Sequence, residues 1–163
     1  PYQDNKHRAQ VLRLLENGFS RFSVSLAFLV DPALPPAQAA STEALPGGLP
    51  PLLRDLLIDK PPLPTEFPTV AAPATALSGE PYVVSFICAQ PNHFEQPAES
   101  TMYRRQNQLV FIVGYDATPD KLQTRKLNLN VRITIPAHTL EPGEYQATLI
   151  GAKESRRWTL TVL

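Results

Sequence analysis

Leu127-Asn128-Leu129-Asn130-Val131-Arg132-Ile133-Thr134-Ile135 alternates apolar and polar residues without a break. That is the period-2 signature of a strand with one face in a core and the other toward water. Upstream, Tyr82 to Ala89 (Tyr-Val-Val-Ser-Phe-Ile-Cys-Ala) is a continuous apolar run, as in a strand covered on both faces, and Gln108 to Tyr115 is a second. Downstream, Tyr145, Ala147 and Leu149 alternate in one strand and Trp158, Leu160 and Val162 in the last. Residues 90–107, which hold Pro91, Asn92, His93 and Pro97, read as a loop. No helical period interrupts 82–163, so this part is a sandwich or barrel, not a parallel α/β sheet.

Nearer the N-terminus, Phe22, Val24, Leu26, Phe28 and Val30 alternate in a first strand within 19–31, which Asp31-Pro32 ends. Before it, residues 1–18 carry a short amphipathic helix from Asn5 to about Asn17. Asp4 is its expected N-cap, Val11, Leu12, Leu14 and Leu15 form its apolar stripe, and Gly18 stops it. Residues 32–81 are different material: 12 of the chain's 18 prolines fall here, with Gly47-Gly48. Such density forbids a central strand and favours extended chain. Within it Leu49, Leu52, Leu53, Leu56 and Leu57 recur at helical spacing behind Pro50 and Pro51, which predicts a helix over 50–59. The expected fold is therefore mainly β: an antiparallel sandwich completed by 82–163, with a short N-terminal helix and a proline-rich arm.

Composition narrows the class further. The 163 residues make one domain, and no apolar stretch reaches the roughly 18 residues a spanning helix needs. Fifteen basic against fifteen acidic residues argue against a basic nucleic-acid binder, and 43% hydrophobic content against wholesale disorder. A single cysteine excludes an internal disulfide. The start, Pro1-Tyr2-Gln3-Asp4, has no basic-then-apolar signal segment, and initiator Met is readily removed before Pro. The expectation is cytoplasmic synthesis without export, or a periplasmic or extracellular place if Pro1 is not the mature end.

The closing segment Ile135-Pro136-Ala137-His138-Thr139-Leu140-Glu141-Pro142-Gly143-Glu144-Tyr145-Gln146-Ala147-Thr148-Leu149, followed by Trp158-Thr159-Leu160-Thr161-Val162, resembles the last strands of immunoglobulin-like and fibronectin-type sandwiches. The resemblance covers about the last 35 residues. It implies that Tyr145 is a corner tyrosine whose hydroxyl ties a turn to backbone. The absent cysteine pair, the proline-rich insert and the leading helix depart from the pattern. A resemblance at the level of fold assigns no functional residue.

Chemistry-bearing patterns are sparse. Cys88, His93 and Glu95 are metal-ligand types, but a lone Cys-x-x-x-x-His without a second pair is no zinc spacing, so no metal and no cofactor is expected. There is no nucleophile elbow, phosphate-cradling Gly loop or His-Glu-x-x-His, and Asp55/Asp59 and Glu95/Glu99 are ordinary carboxylate pairs. No catalytic residue and no small-molecule ligand is assigned. Leu53-Arg54-Asp55-Leu56-Leu57 matches the Leu-x-x-Leu-Leu spacing of groove-docking helices, or else it caps its own domain. Charge is uneven as well. Up to residue 101 six basic residues face ten acidic ones, so the remainder of the neutral chain carries +4, as complementary subunit ends or as a solvated rim of turns.

These readings converge on a non-enzymatic structural or interaction subunit of a virion, appendage or multi-protein complex. Its partners would be other protein subunits, of the same or a different chain. The expected partner-binding residues are Leu49, Leu52, Leu53, Leu56, Leu57, Leu63 and Phe67 of the arm. The alternative is an extracytoplasmic β-sandwich ligand-binding module, such as an adhesin or the outer domain of a membrane-anchored regulator.

Overall fold

Alternating and continuous apolar sequence becomes strand where a face can be buried, and the described residues form ten strands, two of them only two residues long. The computed structural model describes residues 2–31, 34–57, 61–89, 95–117 and 128–163. Helix α1 (Tyr2–Glu16) leads into β1 (Phe19–Phe28). The proline-rich segment contributes β2 (Glu43–Pro46), α2 (Pro51–Leu56), β3 (Val70–Ala71) and β4 (Thr75–Ala76). Then come β5 (Tyr82–Ala89), β6 (Glu95–Arg105), β7 (Gln108–Ala117), β8 (Asn128–Ile135), β9 (Gly143–Leu149) and β10 (Glu154–Val162).

The chain is mainly β, built on one curled sheet of mixed direction with two helices. Its hydrogen-bonded order is β2-β10-β9-β7-β6-β1-β8-β5-β3, with β4 also on β10. The curl turns on β1. Residues 19–24 pair with β6, and 25–28 pair with β8 instead. A sandwich of two mainly antiparallel sheets was expected; the strands instead form one mixed sheet, in which β7 with β9 and β4 with β10 are parallel. Alternation assigns faces but not neighbours, so it does not reveal that β8 leaves to pair with β1 and β5 before β9 returns beside β7.

The concave side holds the main core. Val24, Phe86, Phe111, Val113, Val131, Ile133, Tyr145, Leu149, Trp158 and Leu160 are buried in it, with Phe22, Leu26 and Leu129 at its margin. Phe111 and Trp158 stack at 6.1 Å between ring centroids. Phe28 leaves the core at the end of β1 and is 49% exposed. The Tyr145 hydroxyl donates to the Glu141 carbonyl at 2.7 Å and ties the turn into β9.

Helix α1 starts earlier than expected, so Asp4 lies inside its first turn, not at the cap. It ends as expected at Gly18, whose φ of 83° is left-handed and whose N–H donates to Leu15 O at 3.0 Å. Helix α2 runs from Pro51 to Leu56 with Pro50 ahead of it, and Leu57 is already extended. Residues 58–60, the expected last turn, lie outside the described residues.

The proline-rich segment forms both margins of its own sheet. Strand β2 lies along residues 154–157 of β10, β4 along 161–162, and β3 along 85–86 of β5. An edge strand needs only one row of ladder hydrogen bonds, so proline is tolerated there, as it is at a bulge. Glycine makes the closest docking possible. A Cβ on Gly47 would fall on the Ala152 carbonyl, and Gly47 N–H donates to Lys153 O at 2.9 Å.

Candidate functional site

The convex side of β1, β6 and β7 carries a second apolar layer. Leu14 of α1 and Leu53, Leu56 and Leu57 cover Phe19, Tyr103, Val110, Ile112 and Ile150. The arm was expected to offer Leu49, Leu52, Leu53, Leu56, Leu57, Leu63 and Phe67 to partners, and in the lone chain they pack wholly or partly against their own fold. Leu53, Leu56 and Leu57 are buried in their own chain, and Leu49, Leu52 and Leu63 pack partly against the same layer. Phe67 is buried in the main core, edge-on to Phe86 at 5.4 Å. The reason is hydrophobic: a sheet with an apolar convex face must cover it, and α2 is the cover at hand.

The two helices leave part of that face open. Between them and the sheet lies a cleft of about 340 Å3, lined by Gln10, Arg21, Leu57, Pro61, Glu99, Thr101, Tyr103, Ile112 and Gly114. Three strands make its floor. Arg21 of β1 stands opposite Tyr103 of β6, Thr101 opposite Ile112 of β7, and Glu99 opposite Gly114. Glu99, Thr101 and Tyr103 alternate along β6 and so share a face. Just beyond Glu99 a bulge shifts the register between Pro97 and Glu99, the kind of irregularity that re-aims side chains.

Gly114 shapes the cleft. A Cβ there would lie 3.2 Å from Glu99 Cγ, so a larger residue would displace the glutamate. Interior glycine weakens a strand and marks a close approach. Arg21 and Glu99 are both exposed and set at opposite corners. Among the described residues neither makes an ion pair or a side-chain hydrogen bond, and the Thr101 and Tyr103 hydroxyls have no partner either. Tyr103 is only 6% exposed, and buried hydroxyls are ordinarily satisfied.

Of the residues lining the cleft, the sequence singled out Leu57, as a partner-binding leucine, and Glu99, only as one of an ordinary carboxylate pair. The strand that supplies three of them, β6, falls in the stretch 90–107 that reads as a loop, because Pro97, Glu99, Arg104 and Arg105 break any apolar alternation. The available signal was Ser100, Met102 and Arg104 alternating with Thr101, Tyr103 and Arg105, a strand whose two faces meet different layers. Cys88 is buried among core side chains of β5, whereas His93 lies outside the described residues. No grouping of three or more metal-ligand side chains occurs among the described residues, and none of their helices is long and apolar enough to cross a membrane. Comparisons with protein families, characterised proteins and solved structures find no match for this chain.

Proposed function

We propose that the chain is a non-enzymatic structural or interaction subunit of a larger assembly (a virion, an appendage or a multi-protein complex) and that it meets copies of itself through α1. The observation that carries this is on α1, where Leu14 is buried but Leu12 and Leu15 are each 58% exposed. Burying a leucine contributes about 1.5–3 kcal/mol, so a partner covering both gains appreciably. Val30 and Leu34, where the arm leaves β1, are also open to solvent. The opposed charge of the two parts of the chain favours contact between copies. Sedimentation over a concentration series tests this. The wild-type chain should associate, and Leu12→Asp with Leu15→Asp should stay monomeric with an unchanged β signal in circular dichroism. A monomeric wild type, or a double variant that associates equally, contradicts the reading.

A second reading, a β-domain ligand-binding module acting outside the cytoplasm, is favoured by the cleft over β1, β6 and β7. Its volume lies in the range of small-ligand sites. We read the closing strands as a distorted immunoglobulin-like sandwich, a view supported by the Tyr145 hydroxyl bond to the Glu141 carbonyl.

A further inference from the structure

We infer that the cleft between α1, α2 and the convex face of β1, β6 and β7 binds a short peptide as an elongated zwitterion, its carboxylate on Arg21 and its ammonium on Glu99. The inference rests on the second reading, that of a ligand-binding module, and names its ligand class. Opposite charges at the two corners of one concavity, neither in an ion pair among the described residues, are what a zwitterion complements. A guanidinium takes a carboxylate through two parallel hydrogen bonds, and a carboxylate accepts from an ammonium.

The spacing selects the length. Arg21 stands opposite Tyr103, and Glu99 is four residues further along the same strand. At about 3.3 Å per residue and about 4.8 Å between strands, the two backbone positions are roughly 14 Å apart. Both residues line the cleft, so a ligand between their side chains spans less than the backbone gap. A free α-amino acid carries both charges on one carbon and cannot bridge it, whereas an extended tripeptide spans about 10 Å. Between the charged corners the cleft offers what a peptide backbone needs. The Thr101 and Tyr103 hydroxyls can donate to its carbonyls or accept from its amides, and Tyr103 is almost wholly buried with no hydroxyl partner among the described residues. Ile112, Leu57 and Pro61 give apolar contact to small side chains.

Calorimetric titration of the intact chain with trialanine, its N-acetyl form, its C-terminal amide, alanine and ε-aminocaproate tests this. Trialanine should bind, and each cap should weaken it about tenfold or more, the worth of one charge-assisted pairing. Arg21→Gln should remove the penalty of the amide cap alone, and Glu99→Gln that of the acetyl cap alone. Both residues are exposed, so neither change threatens the fold. ε-Aminocaproate has the two charges but no amides to meet Thr101 and Tyr103, so it should bind more weakly, and Tyr103→Phe should weaken only trialanine. If ε-aminocaproate binds as tightly as trialanine, the peptide assignment is overturned. If capped peptides bind as tightly as trialanine, the zwitterion is overturned while the ligand-binding reading stands. If no probe binds at millimolar concentration, both fall.

Discussion

The indole N–H of Trp158 donates to the hydroxyl of Tyr82 at 3.0 Å inside the core, and that hydroxyl donates in turn to the carbonyl of Pro73 at 2.7 Å. One buried chain of two hydrogen bonds thus joins β10, β5 and the proline-rich segment. Tyr82→Phe keeps the ring but leaves the indole N–H and the Pro73 carbonyl without their partner. An unmet buried group costs about 1–3 kcal/mol, so the variant should lose stability in that range, read as a lower urea midpoint with an unchanged slope. An unchanged midpoint would show that neither bond contributes.

The same hydroxyl makes stability depend on alkaline pH. Burial pushes the Tyr82 phenol well above its ordinary value, and the hydrogen bond from Trp158 only partly offsets this. The neutral form is therefore favoured in the fold. Its contribution is complete below the unfolded-state value of about 10 and is lost as pH rises from there toward the folded value. The stability difference between wild type and Tyr82→Phe should be constant from neutral pH to about 9 and shrink above about 10. Denaturant titrations of both proteins at stepped pH check this, and a difference that stays flat or widens above pH 10 contradicts it.

Leu53 of α2 is wholly buried, whereas Leu12 is mostly exposed on α1. Leu53→Ala should cost about 2–5 kcal/mol through lost transfer energy and a cavity. Leu12→Asp on the lone chain should stay within about 0.5 kcal/mol, as exposed substitutions do. Equal effects at the two positions would mean that α2 is not seated as described.

Two glycines set how closely the arm meets the turn between β9 and β10. A Cβ on Gly151 would collide with the Glu154 carbonyl, and one on Gly47 with the Ala152 carbonyl. Both obstacles are backbone, which cannot swing aside as a side chain does. Gly151→Ala and Gly47→Ala should each destabilise by more than the roughly 1 kcal/mol of an ordinary glycine-to-alanine exchange, with the sign reversed from the usual entropic gain. Thermal unfolding of the two single variants checks the direction.

Sequence alone carried the strands whose apolar residues alternate or run on. Strand β5 has the bounds that Tyr82–Ala89 suggested, and β8, β9 and β10 follow their alternation. It did not carry β6. That strand is lined by hydroxyls and charge on the open part of the convex face, so its pattern is not one of burial. The cleft shares this difficulty, because Arg21, Glu99 and Gly114 become neighbours only through pairings that hydropathy does not encode. The leucines of 49–57 were rightly read as needing a surface. Which surface depended on the convex apolar face of β6 and β7, which no local period reveals.

Amide hydrogen exchange on the lone chain tests most directly whether the proline-rich segment belongs to its own fold. Ile87 N–H donates to Thr69 O, Ala89 to Glu66 O, Thr161 to Ala74 O and Leu163 to Ala76 O, all at 2.8–3.0 Å. Each of these amides is protected only while the segment stays docked. These four amides should be protected in a monomer, well above the level of free chain. Exchange there as fast as in an unfolded peptide, with core amides of β5 and β10 still protected, would contradict it and return the segment to the role of an arm for neighbours.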